Sequence, residues 1–69
     1  MMEKYYVNKI PQSNDDHEVH TLKCHVLPNE ENRMFLGVFY NCHDAVEKAK
    51  KYYPTADGCI HCARECHTS

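Results

Sequence analysis

The residues with chemistry to offer are cysteines and histidines, and they gather in two places. Residues 57–67 read DGCIHCARECH, which brings Cys59, Cys62, Cys66, His61 and His67 into one short stretch. Gly58-Cys59-x-x-Cys62 has the spacing of half a metal site, because a tight turn between two thiolates lets both sulfurs sit about 2.3 Å from one ion. A tetrahedral ion takes four donors, so a second pair must come from elsewhere. The segment His17-Glu18-Val19-His20-Thr21-Leu22-Lys23-Cys24 offers one, and His20 with Cys24 is the favoured combination. The predicted shell is therefore His20, Cys24, Cys59 and Cys62 around Zn2+, a common composition for a structural site. His17, Cys66 and His67 are its possible substitutes.

Cys59, Cys62 and His67 match the first three ligands of a zinc knuckle, C-x2-C-x4-H, whose fourth ligand would fall beyond Ser69. The competing expectation for Cys66 and His67 is a tail lying over the site, with His67 hydrogen-bonded to a ligating thiolate. Cys42 is read as a small apolar residue packed on a sheet, and His43 as an exposed one. Catalytic zinc keeps a position open for water and needs an acid or base beside it. Neither an HExxH motif nor a deaminase signature occurs, and Glu18 and Glu65 read as surface carboxylates. A thioredoxin-like use of Cys-x-x-Cys needs a preceding βαβ pattern, whereas Cys59 follows a turn. No enzymatic activity is expected.

Elements must hold these donors in place. Residues 4–10, KYYVNKI, are rich in β-formers and predict a strand, followed by a turn cluster at 11–16. Residues 17–24 predict a second strand, with His20, Leu22 and Cys24 on one face and His17, Val19 and Thr21 on the other. After a polar connection at 27–32, the apolar run 34–40 predicts a third strand, in which Gly37 marks a bulge or a close backbone approach. A helix is predicted over about 42–53. Asn41 is its N-cap, Ala45, Val46, Ala49, Tyr52 and Tyr53 form its apolar stripe, and Pro54 stops it. Residues 55–58 read as a turn that returns Cys59 and Cys62 to the sheet edge, and 63–67 as one helical turn.

Composition bounds what such a chain can be. A domain of 69 residues buries only about 60% of the surface its unfolded chain exposes, so a staple is expected. Five cysteines are an odd number and cannot all pair internally. The start, MMEKYYVNKI, lacks the cationic and apolar regions of a secretory signal, so the chain is expected in the cytoplasm, where clustered Cys and His are more often metal ligands than disulfides. No apolar run is long enough to span a membrane. Net charge is −2, with no basic half to neutralise phosphates, which disfavours nucleic acid as a partner. The lysines at 48, 50 and 51 read as a solvated helix face.

H-x3-C at 20–24, the Leu36-Gly37-x-Phe39 strand, the Ala45-Val46-x-x-Ala49 helix and the terminal Gly58-Cys59-x-x-Cys62 resemble small uncharacterised bacterial Cys/His zinc-binding proteins. They are also loosely similar to the metal-binding module of Ada-type DNA repair proteins. The resemblance implies a small α+β scaffold with His20, Cys24, Cys59 and Cys62 at the ligand positions. It does not carry over a repair activity, since the methyl-acceptor context is absent, and residues 63–69 extend past the family's last Cys pair. The reading is one zinc-binding α+β domain over 1–69, with a two- or three-stranded antiparallel sheet and one helix. Its expected role is a non-enzymatic module that presents a surface bearing Tyr5, Tyr6, Tyr40, Tyr52 and Tyr53 to a protein partner. The alternatives are a nucleic-acid-binding zinc module and a thiol redox or metal-buffering protein.

Overall fold

The computed structural model describes residues 2–68, which form an α+β fold of one mixed sheet and one helix. Strand β1 (Glu3–Asn8) lies between β2 (His17–Thr21) and β3 (Arg33–Phe39), antiparallel to both. A fourth strand, β4 (Ala56–Gly58), runs parallel to β2 on its other side, so the order is β3-β1-β2-β4. The sequence pattern anticipated the first three. It missed β4, because three small or polar residues carry no β-forming signal and their burial comes only from lying against β2.

Side chains alternate across the sheet as its pleat requires. Tyr5 pairs with Thr21 and Val7 with Val19, all four buried on the face that helix α1 (Cys42–Ala49) covers. Tyr6 and its partner His20 point the other way. In β3 the register skips a residue between Tyr5 opposite Gly37 and Tyr6 opposite Phe35, so Leu36 forms a bulge and is buried. Gly37, at φ 135°, provides the backbone conformation that the expected bulge needs.

Helix α1 begins where expected: Asn41 accepts the Asp44 N–H at 3.0 Å, and Cys42, Ala45, Val46 and Ala49 form the buried stripe. It ends at Ala49 rather than near residue 53. Pro54 disfavours helical geometry at Tyr53, and the chain tightens into i to i−3 turns, the Lys51 N–H on the Lys48 carbonyl at 3.1 Å and the Tyr52 N–H on the Ala49 carbonyl at 3.0 Å. Tyr52 consequently falls outside the stripe and is exposed, while Tyr53 packs on the edge of the core. Leu36, Val7 and Val19 are fully buried; each such side chain contributes about 1.5–3 kcal/mol. Cys42 is also bonded to Cys66, which ties the start of the helix to the 3-10 turn at Arg64–Cys66. No helix among the described residues is long and apolar enough to cross a membrane.

Candidate metal centre

The parallel pairing of β2 and β4 builds the site. Val19 lies opposite Gly58, so the next residues along, His20 still in β2 and Cys59 just past β4, lie towards the same end of the sheet. Cys59 N–H remains bonded to the Val19 carbonyl at 3.0 Å. Beyond Thr21 the chain turns at once, the Cys24 N–H bonding the Thr21 carbonyl at 3.1 Å. Cys24 thus reaches the site from a turn and not from a longer second strand. The turn after β4 returns Cys62, with the Ala63 N–H on the Cys59 carbonyl at 2.9 Å. Because the two strands are parallel, the turns that follow them lie at the same end of the sheet.

Four donors converge there. One ligand atom from each of His20, Cys24, Cys59 and Cys62 lies within 4.8 Å of all the others. Two sulfurs bound about 2.3 Å from a tetrahedral centre are about 3.8 Å apart, and a sulfur and an imidazole nitrogen about 3.6 Å. Cys24 Sγ and Cys59 Sγ are 3.8 Å apart, and Cys62 Sγ is 4.0 Å from His20 Nδ1. The residues present fit a tetrahedral ion. Their donors, three sulfurs and a nitrogen, suit a soft or borderline metal and not a hard cation such as Ca2+ or Mg2+.

The surroundings favour thiolate ligation. The Thr21 N–H points at Cys62 Sγ and the His61 N–H at Cys59 Sγ, both at 3.4 Å, a contact that stabilises negative sulfur. Against this, burial and then the neighbouring Cys24 and Cys59 sulfurs push the Cys62 thiol up to about 12, and burial raises Cys59 as well. Burial, followed by nearby His61, holds His20 down at about 4, so its imidazole is neutral and ready to ligate. A bound cation reverses the sulfur preference by supplying the opposite charge. His20 is 1% exposed, and its Nε2 lies 3.6 Å from Glu18 Oε1 while Nδ1 faces the sulfurs. Glu18 beside Nε2 leaves Nδ1 as the imidazole nitrogen that could ligate an ion. Glu18 is thus a half-buried neighbour of His20 and not the surface carboxylate expected of it. Its signal was the period-2 spacing that puts residues 18 and 20 on one face of β2.

None of the possible substitutes enters the cluster. His17 lies on the helix face of β2, stacked on Tyr53 with ring centroids 4.1 Å apart and its Nδ1 2.9 Å from the Asn8 carbonyl. His67 Nδ1 is 3.0 Å from the Gly58 carbonyl and 3.4 Å from Asp57. The tail does lie beside the site, but His67 meets backbone and a carboxylate where a thiolate partner was expected. Thr68 fixes that tail through its N–H and hydroxyl on buried Asp57. Cys66 is held in the disulfide with Cys42. Cys42 is buried as expected, but as half of a cross-link, which the odd cysteine count and the expectation of metal ligation both hid.

The chain matches no family model, no curated protein and no solved structure.

Proposed function

We propose that this chain is a small zinc-binding domain whose ion, held by His20, Cys24, Cys59 and Cys62, is structural, and that it acts as a non-enzymatic protein-interaction module. The observation that carries the metal reading is the Cys24–Cys59 separation of 3.8 Å across 35 residues of sequence, the spacing that two ligands of one tetrahedral zinc adopt. Four protein donors leave no open position for water, which is the arrangement of a structural rather than a catalytic zinc.

The interaction reading rests on the sheet face that α1 does not cover. Tyr6 and Phe35 pack there with ring centroids 5.3 Å apart, the Arg33 guanidinium sits 4.8 Å over Tyr6, and Phe35 and Val38 are largely exposed. Aromatic and arginine side chains together are typical of protein-binding surfaces. The tyrosine surface expected from the sequence is reduced: Tyr5 is buried in the core, while Tyr40 is 72% exposed. A reducing cytoplasm is the proposed compartment, since it keeps the thiols of Cys24, Cys59 and Cys62 available for metal; there the Cys42–Cys66 bond is open to reduction.

Native mass spectrometry of protein purified without added metal tests the reading. One zinc per disulfide-intact chain is expected, with Cβ shifts of Cys24, Cys59 and Cys62 displaced to ligated values and those of Cys42 and Cys66 at disulfide values. A metal-free chain that stays metal-free on zinc addition refutes it.

A further inference from the structure

We infer that the Cys42–Cys66 disulfide masks a second metal site, formed by Cys42, His43 and Cys66 once that bond is reduced. Ligand atoms of these three residues lie within 4.8 Å of one another, with the His43 imidazole beside the two bonded sulfurs. Glu65 adds an oxygen donor beside them, its Oε2 3.7 Å from His43 Nε2. The Cα atoms of Cys42 and Cys66 are 6.2 Å apart. Rotation of the two side chains from this spacing separates the sulfurs to the roughly 3.8 Å that a shared tetrahedral ion demands.

The place of this cluster in the fold distinguishes it from an ordinary staple. Cys42 opens the helix and Cys66 closes the last 3-10 turn, both buried, while His43 and Glu65 are exposed. Cys66 nevertheless lines a surface depression of about 220 Å3 together with His43, Glu65 and Asp57. Cys66 thus stands in the wall of a depression wide enough for an ion or a small thiol to enter. Two thiolates, an imidazole and a carboxylate form a donor set for zinc, and none of them belongs to the first cluster.

The conversion balances with a thiol reductant as co-reactant. Two molecules of a monothiol such as glutathione deliver two electrons and two protons: the Cys42–Cys66 bond breaks, two thiols form, and the reductant leaves as its own disulfide. Binding of a divalent ion then displaces one proton from each thiol. Oxidation and metal occupancy are mutually exclusive at this position, so the state of residues 42 and 66 makes the second site responsive to thiol redox poise.

The test counts metal in the two redox states. Protein with the disulfide intact is expected to bind one equivalent of zinc in competition with a chromophoric chelator, and protein reduced with a phosphine, which does not itself supply thiol ligands, two. With Co2+ the second equivalent adds thiolate charge-transfer absorbance about two-thirds that of the first, as two sulfurs compare with three. Cys42→Ser/Cys66→Ser holds one equivalent in either state. His43→Ala alters an exposed side chain, keeps the cross-link when oxidised, and weakens the second equivalent by about tenfold or more after reduction. A reduced protein that takes up a single equivalent overturns the inference, as does a second equivalent indifferent to His43→Ala. No zinc in the oxidised protein refutes the first site alone, because the increment on reduction is read separately.

Discussion

Gly58→Ala is the substitution whose outcome the packing determines most directly. A Cβ at this position would lie 2.7 Å from the Ala63 carbonyl oxygen, 2.7 Å from Cys66 Cβ and 2.8 Å from the Cys66 carbonyl carbon, where ordinary contact begins near 3.4 Å. None of these atoms is the tip of a flexible side chain. Cys66 is bonded to Cys42, the Ala63 carbonyl accepts the Cys66 N–H at 2.9 Å, and Gly58 itself is paired with Val19. Relief requires β4 and the Arg64–Cys66 turn to move apart. Overpacking at an immobile site costs up to about 3 kcal/mol. The reduced freedom of the unfolded Ala chain returns about 0.4–1 kcal/mol, leaving roughly 2 kcal/mol net. For a domain of this size that is a fall in Tm of about 8–16 °C, read by circular dichroism on metal-loaded, disulfide-intact protein. The displacement begins one residue before Cys59, so metal affinity falls too. A Tm within about 4 °C of the parent, with unchanged affinity, would refute the reasoning.

Three further outcomes are expected. Chelation of the fully reduced protein abolishes the native circular dichroism and NMR spectra, because a structural zinc contributes about 10–16 kcal/mol and a core this small only a few; native spectra after chelation would contradict this. Glu18→Gln weakens the first equivalent of zinc about 10- to 100-fold through the orientation of His20, without changing the stoichiometry; unaltered affinity in chelator competition would remove Glu18 from that role. His17→Ala and His67→Ala each keep the first zinc, whereas Cys24→Ala and Cys59→Ala lose it; a zinc-free His17 or His67 variant would show the ligand set to be misassigned.

Much of the site was legible in the residues because its signals are local. Gly58-Cys59-x-x-Cys62 declares a thiolate pair through its turn, and the period-2 alternation of a strand put His20 and His17 on opposite faces, as the Tyr6–His20 and Val7–Val19 pairings place them. The α+β class, the cap at Asn41 and the bulge at Gly37 were likewise carried by neighbouring residues. The substitutes could not be excluded at that level, since nothing in sequence distinguishes a histidine that stacks on Tyr53 or bonds the Gly58 carbonyl from one that ligates. Those outcomes depend on partners 36 and 9 positions away in the chain.

The sequence by itself determined which donors exist, which of them pair locally, and that a small core needs a clasp. Only the tertiary structure decided how the pairs meet. That decision lies in the parallel register of β2 with a three-residue β4, too short and too weakly β-forming to be read from its own residues. A parallel pair ends at one edge of the sheet, which is why Cys24 and Cys59 reach each other across 35 residues. The same long-range folding joined Cys42 to Cys66 across 24, since cross-links are set by which surfaces pack together and leave no periodic trace in the chain.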